Sequence, residues 1–494
     1  MRLPGTVRGW KGLHVNVIAT LAKNRIAKNT SILVLAQIAS RALGIVYVAA
    51  LARYVGAEGI GNISTANALN GLLVLVVGPG LSTLLVRDIA ADAKKAGTYL
   101  SNMLFLRALL GASFILLVVI VTWVAGYQGD TALIVRAYAL VYLIDTLGEI
   151  LTSVFRAFER MEFDAGSQVL RDLINVSLSL LAIYLHQSLL TIVYISVIAQ
   201  ACKFLLMIAL VYGRFVRPRL TISFRTSKTL LISSLPFGVL LILAAVQAQL
   251  GTFVLSLYHT ADTVGLYSAA FSLITMLLLL PNAFSLAIYP TFSKLYVHAR
   301  HDLQRAYQIC YKYLLVVGFP LGLGTMLVGN RVILLIYGHE FEGSATAIRI
   351  LGLFLCTIVG CSNGPLLYAA GRQRFFAWTQ GLAVGATGIL SLLLIPKWDL
   401  AGAAIAFVLP GVATFFVHSI ASHRQVGLSL PWLAMGKILL ATLLMGLIAS
   451  VSLGAGVPWL AVVFMVAPST YGVSILLLGV ANKEELRNLA GARI

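Results

Sequence analysis

Ala57-Glu58-Gly59-Ile60-Gly61-Asn62-Ile63-Ser64 returns as Ala261-Asp262-Thr263-Val264-Gly265-Leu266-Tyr267-Ser268, an offset of 204 residues. In each copy one long apolar segment precedes the motif and another follows it. Duplicated apolar segments of this kind build transporters that rock two halves around a shared site. Each copy runs on into a polar, basic stretch, Leu85-Val86-Arg87-Asp88 in the first and Pro290-Thr291-Phe292-Ser293-Lys294 in the second. With six helices per half the copies share one orientation. The repeat is therefore parallel, about an axis along the membrane normal, rather than inverted.

The composition fits this reading. The chain is 60% hydrophobic and 11% charged, far from soluble proteins, in which about a quarter of residues are charged. About fourteen segments have the roughly 20 apolar residues that a crossing requires. They are 30–54, 63–86, 103–125, 131–153, 168–187, 189–212, 230–257, 264–289, 310–332, 345–370, 375–395, 400–422, 433–454 and 458–480. The expected fold is an all-α polytopic membrane bundle. Its parts are a basic interfacial tail (1–28), a first six-helix lobe (29–212), a cytoplasmic linker (213–229) and a second six-helix lobe (230–422). Two extra helices (433–480) and a tail (481–494) complete the chain.

The net charge of +19 is a topology signal. With loops alternating sides, about 29 of the 36 Lys and Arg fall on one side and about five on the other, which places both termini in the cytoplasm. Arg214, Arg217, Arg219, Arg225 and Lys228 in the linker belong to that excess. A positive inner face attracts anionic membrane lipids, and nucleic acid is not an expected partner. The four cysteines lie in or beside apolar segments without a CxxC spacing. They read as buried side chains, and no metal or cofactor is expected. There is no GxxxxGK[ST] loop for ATP.

Ala52-Arg53-Tyr54-Val55-Gly56-Ala57-Glu58, VGLYSAAF (264–271), YPTFSKL (289–295), LLIYGHEFEGSATAIRIL (334–351) and IPKWDLAGAAIAF (395–407) resemble the polysaccharide-flippase family. That family carries O-antigen and exopolysaccharide repeat units and shares a superfamily with MATE antiporters and the lipid II flippase. The resemblance, over roughly 25–480, implies two six-helix lobes around a cavity that opens alternately to each side. It implies an oligosaccharide on a polyprenyl pyrophosphate as substrate, a monomer in the plasma or inner membrane, and a glycan polymerase or transferase as a partner.

An ionisable group within the bilayer is a functional candidate, because it is costly unless paired or hydrated. Arg41 lies about eleven residues into the first segment, roughly 16 Å deep, and its planar fork of donors matches phosphate oxygens. Ser40-Arg41-Ala42-Leu43-Gly44 is similar to the first-helix segment of the lipid II flippase, where an arginine faces the cavity. The alternative is a structural ion pair. Gln37 and Lys203 join Arg41 as candidate contacts to pyrophosphate or sugar. Asp145 and Glu149, one turn apart, form either a structural pair or a site for Na⁺ or H⁺ coupling. Arg107, Arg171 and Asp172 lie near the inner surface, where snorkelling or interfacial pairing accounts for them.

The second lobe lacks equally deep charges and offers Gln247, Gln249, Asn282, Asn363, Gln380 and His418. These suit sugar hydroxyls and equally suit helix–helix hydrogen bonds. The uneven charge suggests that the first lobe takes the phosphate and the second tolerates the sugar. Pro79 and Pro281 occupy similar depths in the two copies, as kinks that either gate or simply pack. The resemblance also implies a lipid-tail groove at the last two helices. Two other functions are weighed: a MATE-type cation-coupled antiporter, disfavoured by Arg41 and the amides, and a polysaccharide polymerase, disfavoured by short outward loops.

Overall fold

A computed structural model describes residues 8–78, 80–216 and 222–480. Among them every regular element is helical. The order is α1 (Arg8–Leu73), α2 (Leu81–Ala91), α3 (Ala96–Val124), α4 (Gly129–Ala157), α5 (Met161–Tyr184) and α6 (Leu189–Arg214). There follow α7 (Phe224–Tyr258), α8 (Ala261–Leu277), α9 (Leu279–His298), α10 (Arg300–Tyr337), α11 (Ala345–Leu355) and α12 (Asn363–Ala369). The series closes with α13 (Gln373–Val426), α14 (Trp432–Gly454), α15 (Trp459–Ala461) and α16 (Ala467–Leu477). Apolar side chains face outward along most of these helices, Trp123, Leu286, Trp378 and Leu477 among the most exposed. Hydrocarbon solvates such a surface at no cost, so the chain is a multi-pass membrane protein.

Ten of the described helices are long and apolar enough to cross a bilayer, or eleven if the bent pair His339–Leu355 and Ile358–Ala369 is one span. The sequence reading has fourteen, and the difference lies in where helices are divided. Within α1, Gly56 sits at φ 68 and ψ −169, a conformation that breaks a helix. Within α13 the break falls at Trp398 and Asp399, the latter at φ 47. Neighbouring apolar segments thus join into single long helices. α5, with Glu162, Asp164, Arg171 and Asp172 along it, falls outside the ten.

The chain packs as two units, one holding residues up to Leu51 with Leu73–Ile242, the other Ala52–Leu72 with the chain from Leu243 onward. In the first unit Leu84, Leu100, Met103, Leu151, Phe155 and Met207 form a buried apolar cluster drawn from α2, α3, α4 and α6. The sequence reading assigns residues 52–72 to the first lobe, yet they pack with the second unit.

The reason is the repeat itself. Both motifs open a helical stretch, one just after the Gly56 break and one at the start of α8. They cross each other at their glycines. A Cβ on Gly61 would overlap the Ala261 carbonyl oxygen and lie 3.0 Å from the Gly265 nitrogen. A Cβ on Gly265 would overlap the Ala57 carbonyl oxygen and lie 3.1 Å from the Gly61 nitrogen. The contact is reciprocal, as at a two-fold axis between identical surfaces. Only glycine lets two backbones approach so closely, and without a hydrophobic driving force in lipid such packing is what joins helices.

Two further ties surround the crossing. Arg53 donates to the Leu335 carbonyl at 2.6 Å, and Ser344 Oγ donates to the Leu266 carbonyl at 2.8 Å. The Glu340 carboxylate packs where a Gly56 side chain would stand.

Each copy then loses regular α-helix at the same distance from its motif. In the first, α1 passes into a 3₁₀ turn, Val74–Val77, followed by Gly78 at φ 84. In the second, Leu278 separates α8 from α9 and Pro281 lies in the first turn of α9. Pro79 lies outside the described residues.

The crossing predicts a specific sensitivity. Gly61→Val or Gly265→Val forces two backbones apart and should cost about 1–3 kcal/mol. Gly436→Ala, with open space around it, should be neutral. Thermal unfolding of the purified protein in detergent distinguishes them.

Candidate functional site

The charged side chains of the first unit are layered. Arg107 of α3 is buried, its side chain 4% exposed, while its partner Glu149 of α4 is 49% exposed. The guanidinium donates to Glu149 Oε2 at 3.0 Å, to Ser82 Oγ at 2.9 Å and to the Thr146 carbonyl. One arginine thus ties α2, α3 and α4 together. Its Nε has no partner among the described residues.

Lys203 of α6 repeats the pattern. Its side chain is 10% exposed and stands 3.6 Å from Asp145 of α4, which is 60% exposed. Lys203 also donates to Gln168 Oε1 at 3.1 Å, and Gln200 Nε2 donates to Asp145 Oδ1 at 2.6 Å. Gln168 leads on to Asp172, which pairs with Arg171 at 3.1 Å. In both pairs the cation lies behind and the carboxylate in front. Burying a charge in hydrocarbon is tolerable only with such compensation.

This arrangement places the sequence candidates. Lys203 is held inside the protein by Asp145 and Gln168. Asp145 and Glu149 pair with Lys203 and Arg107. Arg41 is exposed on α1, as is Gln37 one turn before it, and among the described residues neither makes a hydrogen bond or ion pair. The four charges of the Arg107 and Lys203 pairs cancel, so Arg41 is left as an uncompensated cation. Beside it on α1, Ala36 joins Ala165, Gly166, Val169, Leu170 and Leu173 of α5, with Glu162, around an almost wholly apolar cleft of about 390 Å³.

In the second unit two of the five candidate amides, Gln247 and Asn363, are hydrogen-bonded to neighbouring helices. Gln247 Nε2 donates to Thr387 Oγ1 at 3.1 Å, joining α7 to α13, and Gln249 packs against Gly71. Asn282 is exposed. Asn363 accepts from Tyr307 at 2.8 Å and donates to Ser419 at 3.0 Å. His418 bonds Thr379 at 2.7 Å and stacks on Phe376 at 4.8 Å. Gln247 and Asn363 therefore join helices, and His418 joins the parts of α13 on either side of its break at Trp398 and Asp399.

Sequence reasoning misplaced Arg107. Read from the start of its apolar segment it lies near the surface. Measured from the start of α3 it is about 16 Å in, and Glu149 is about 12 Å from the end of α4. Matching depth on adjacent antiparallel helices is the signal that identifies the pair.

A family model described as "Polysaccharide biosynthesis protein" matches residues 26–296. Among curated proteins the chain is 22% identical over 391 residues to the teichuronic acid biosynthesis protein TuaB of Bacillus subtilis, covering 76% of this chain and 78% of that one. It is 26% identical over 251 residues to the probable flippase AglR of Haloferax volcanii, covering 49% and 52%. Among solved structures the fold matches the lipid II flippase MurJ in an inward closed conformation, with a TM-score of 0.75 at 14% identity, over 92% of this chain and 100% of that one. An inward-facing MATE transporter of the MOP superfamily matches with a TM-score of 0.62 at 17% identity, over 79% and 94%. These likenesses place the fold among MurJ and MATE transporters.

Arg107→Ala leaves Ser82 and the Thr146 carbonyl without their donor and should destabilise the protein by about 1–3 kcal/mol. In a double-mutant cycle Arg107 and Glu149 should couple by about 1 kcal/mol, the half-exposed carboxylate limiting the value. SDS-driven unfolding in mixed micelles measures both.

Proposed function

The chain belongs to the polysaccharide biosynthesis protein family, and from that premise we propose that it is a flippase for a polyprenyl-pyrophosphate-linked oligosaccharide. It carries the headgroup from the cytoplasmic to the outer leaflet by alternating access. The observation that carries this reading is Arg41, a cation within α1 that has no hydrogen-bond or ion-pair partner among the described residues. A deep guanidinium without a carboxylate is costly unless water or an anionic ligand receives it. A pyrophosphate is such a ligand, because two of its oxygens can accept together from the planar guanidinium fork. Gln37, one turn away, adds amide donors for the same group.

Counting α1 and α13 as two crossings each, the bent pair as one and α5 as a further one gives the fourteen crossings of the sequence reading. An even number puts both termini on the same side, which the placement of Lys and Arg makes the cytoplasm of a plasma or inner membrane. On that orientation the Gly61–Gly265 crossing lies toward the outer face, inside the second unit. The helix breaks at Val74–Gly78 and at Leu278, with Pro281 just beyond, are where α1–α2 and α8–α9 would bend.

No hydrolysed nucleotide is needed for direction. A headgroup of charge about −2 leaving a negative interior gains about 4.6 kcal/mol per 100 mV when no counter-ion accompanies it. A polymerase or transferase consuming the flipped product would add to that pull. A cation-coupled drug antiporter is less well supported, because an unpaired arginine repels cationic substrates and both α4 carboxylates already hold cations.

Deletion of the gene should accumulate lipid-linked oligosaccharide on the inner leaflet. Arg41→Ala should reproduce that accumulation, while Gln247→Ala should leave translocation largely intact. Analysis of radiolabelled lipid-linked sugars from membranes measures this. Translocation that survives Arg41→Ala but fails in Gln247→Ala, or restored efflux of cationic dyes by the wild type, would overturn the reading.

A further inference from the structure

The pyrophosphate contact leaves one face of α4 without a role. Tyr138, Tyr142, Asp145 and Glu149 recur at spacings of four, three and four residues, which sets them in one stripe of an α-helix. Both tyrosines are partly exposed and both carboxylates more so. Asp145 lies about 18 Å and Glu149 about 12 Å from the end of α4. Half-exposed carboxylates at such depth face water rather than lipid.

Each carboxylate is held by one oxygen only. Asp145 Oδ1 takes the Gln200 and Lys203 contacts, and Glu149 Oε2 takes Arg107. Asp145 Oδ2 and Glu149 Oε1 have no partner among the described residues. The buried donors fix each group so that its second oxygen points away from its cation. An ionised carboxylate is acceptor-only, so what it takes is a donor.

Three kinds of partner compete: a metal cation, an ammonium group and a hydroxyl. Arg107 and Lys203 already neutralise the two carboxylates, so the stripe has no net charge with which to hold a cation. Hydroxyl groups need none, and a hydrogen bond from a neutral hydroxyl to an ionised acceptor is of the stronger kind. The tyrosines supply the other half of the match. Their rings offer flat apolar surface with a polar tip, which covers the C–H face of a pyranose whose hydroxyls point to its rim. Aromatic surface with a few fixed polar groups is the general make-up of a small-molecule site.

We infer that the Tyr138–Tyr142–Asp145–Glu149 stripe is a subsite for an uncharged sugar ring of the carried headgroup. The carboxylates accept its hydroxyls and the tyrosines pack on its C–H face. Arg107 and Lys203 are positioning residues that hold the carboxylates and do not touch the sugar. The assignment rests on the transport reading above and deepens it. The sugar is then met by the first unit, which also carries Arg41, rather than by the amides of the second.

The test uses the full-length protein in nanodiscs with two probes, a neutral disaccharide followed by saturation-transfer NMR and inorganic pyrophosphate followed by titration calorimetry. Wild type should contact the disaccharide, and the D145N/E149Q double variant should bind it about ten-fold more weakly, the loss expected when two charge-assisted bonds become neutral ones. Tyr142→Leu should weaken it about five-fold. Pyrophosphate binding that persists in both variants shows that they are folded. Undiminished sugar contact in D145N/E149Q overturns the assignment while leaving the transport reading in place. Radiolabelled sodium that binds wild type and is lost in D145N/E149Q, without any sugar contact, overturns it in favour of ion coupling. A wild type that binds neither disaccharide nor pyrophosphate overturns both readings.

Discussion

A charge inside hydrocarbon must be answered by an opposite charge, by water or by a ligand, and the first unit of this protein is organised by that requirement. Arg107 and Lys203 are placed behind Glu149 and Asp145, so each buried cation has a carboxylate and each carboxylate keeps an open side. Compensation of this kind lets α2, α3, α4 and α6 pack their apolar cluster around charged groups without an orphaned ion. It also isolates Arg41.

The second organising feature is geometric. A gene duplication alone explains why the octapeptide occurs twice, but not why the copies touch. In the structure they meet glycine to glycine, each beneath the other's alanine carbonyl. Such a contact is strong through proximity rather than through burial from water, and it is unforgiving of added volume. It also explains why residues 52–72 pack within the second unit: the Gly56 break redirects the chain and the glycine crossing captures it.

Much of this was legible in the residues. Apolar length specifies a helical membrane protein, the repeat indicates duplication, and the quoted motifs identify the family that the match over 26–296 establishes. Arg41 stands out by depth alone. Other features needed the third dimension. Gln247 and Asn363 read equally well as sugar ligands and as helix ties, and their bonds to Thr387, Tyr307 and Ser419 show only that they do tie helices. Lys203 looked available because sequence shows depth but not direction. Segment counting was blurred where a helix turns at one residue, as at Gly56 and Asp399, without an intervening polar loop. The four-three-four spacing on α4 is visible in the sequence, but which oxygen of each carboxylate is left free is not.

The central claim is that this protein moves a pyrophosphate-linked sugar lipid between leaflets, driven by the headgroup's own charge. Proteoliposomes loaded with a lipid-linked oligosaccharide, and treated outside with membrane-impermeant periodate that cleaves exposed sugar diols, test it most directly. Carriers oriented as in the cell should expose inner-leaflet sugar to the reagent far faster than empty liposomes, and an interior-negative potential should accelerate the exposure. Exposure no faster than in protein-free vesicles, at any potential, would contradict the account.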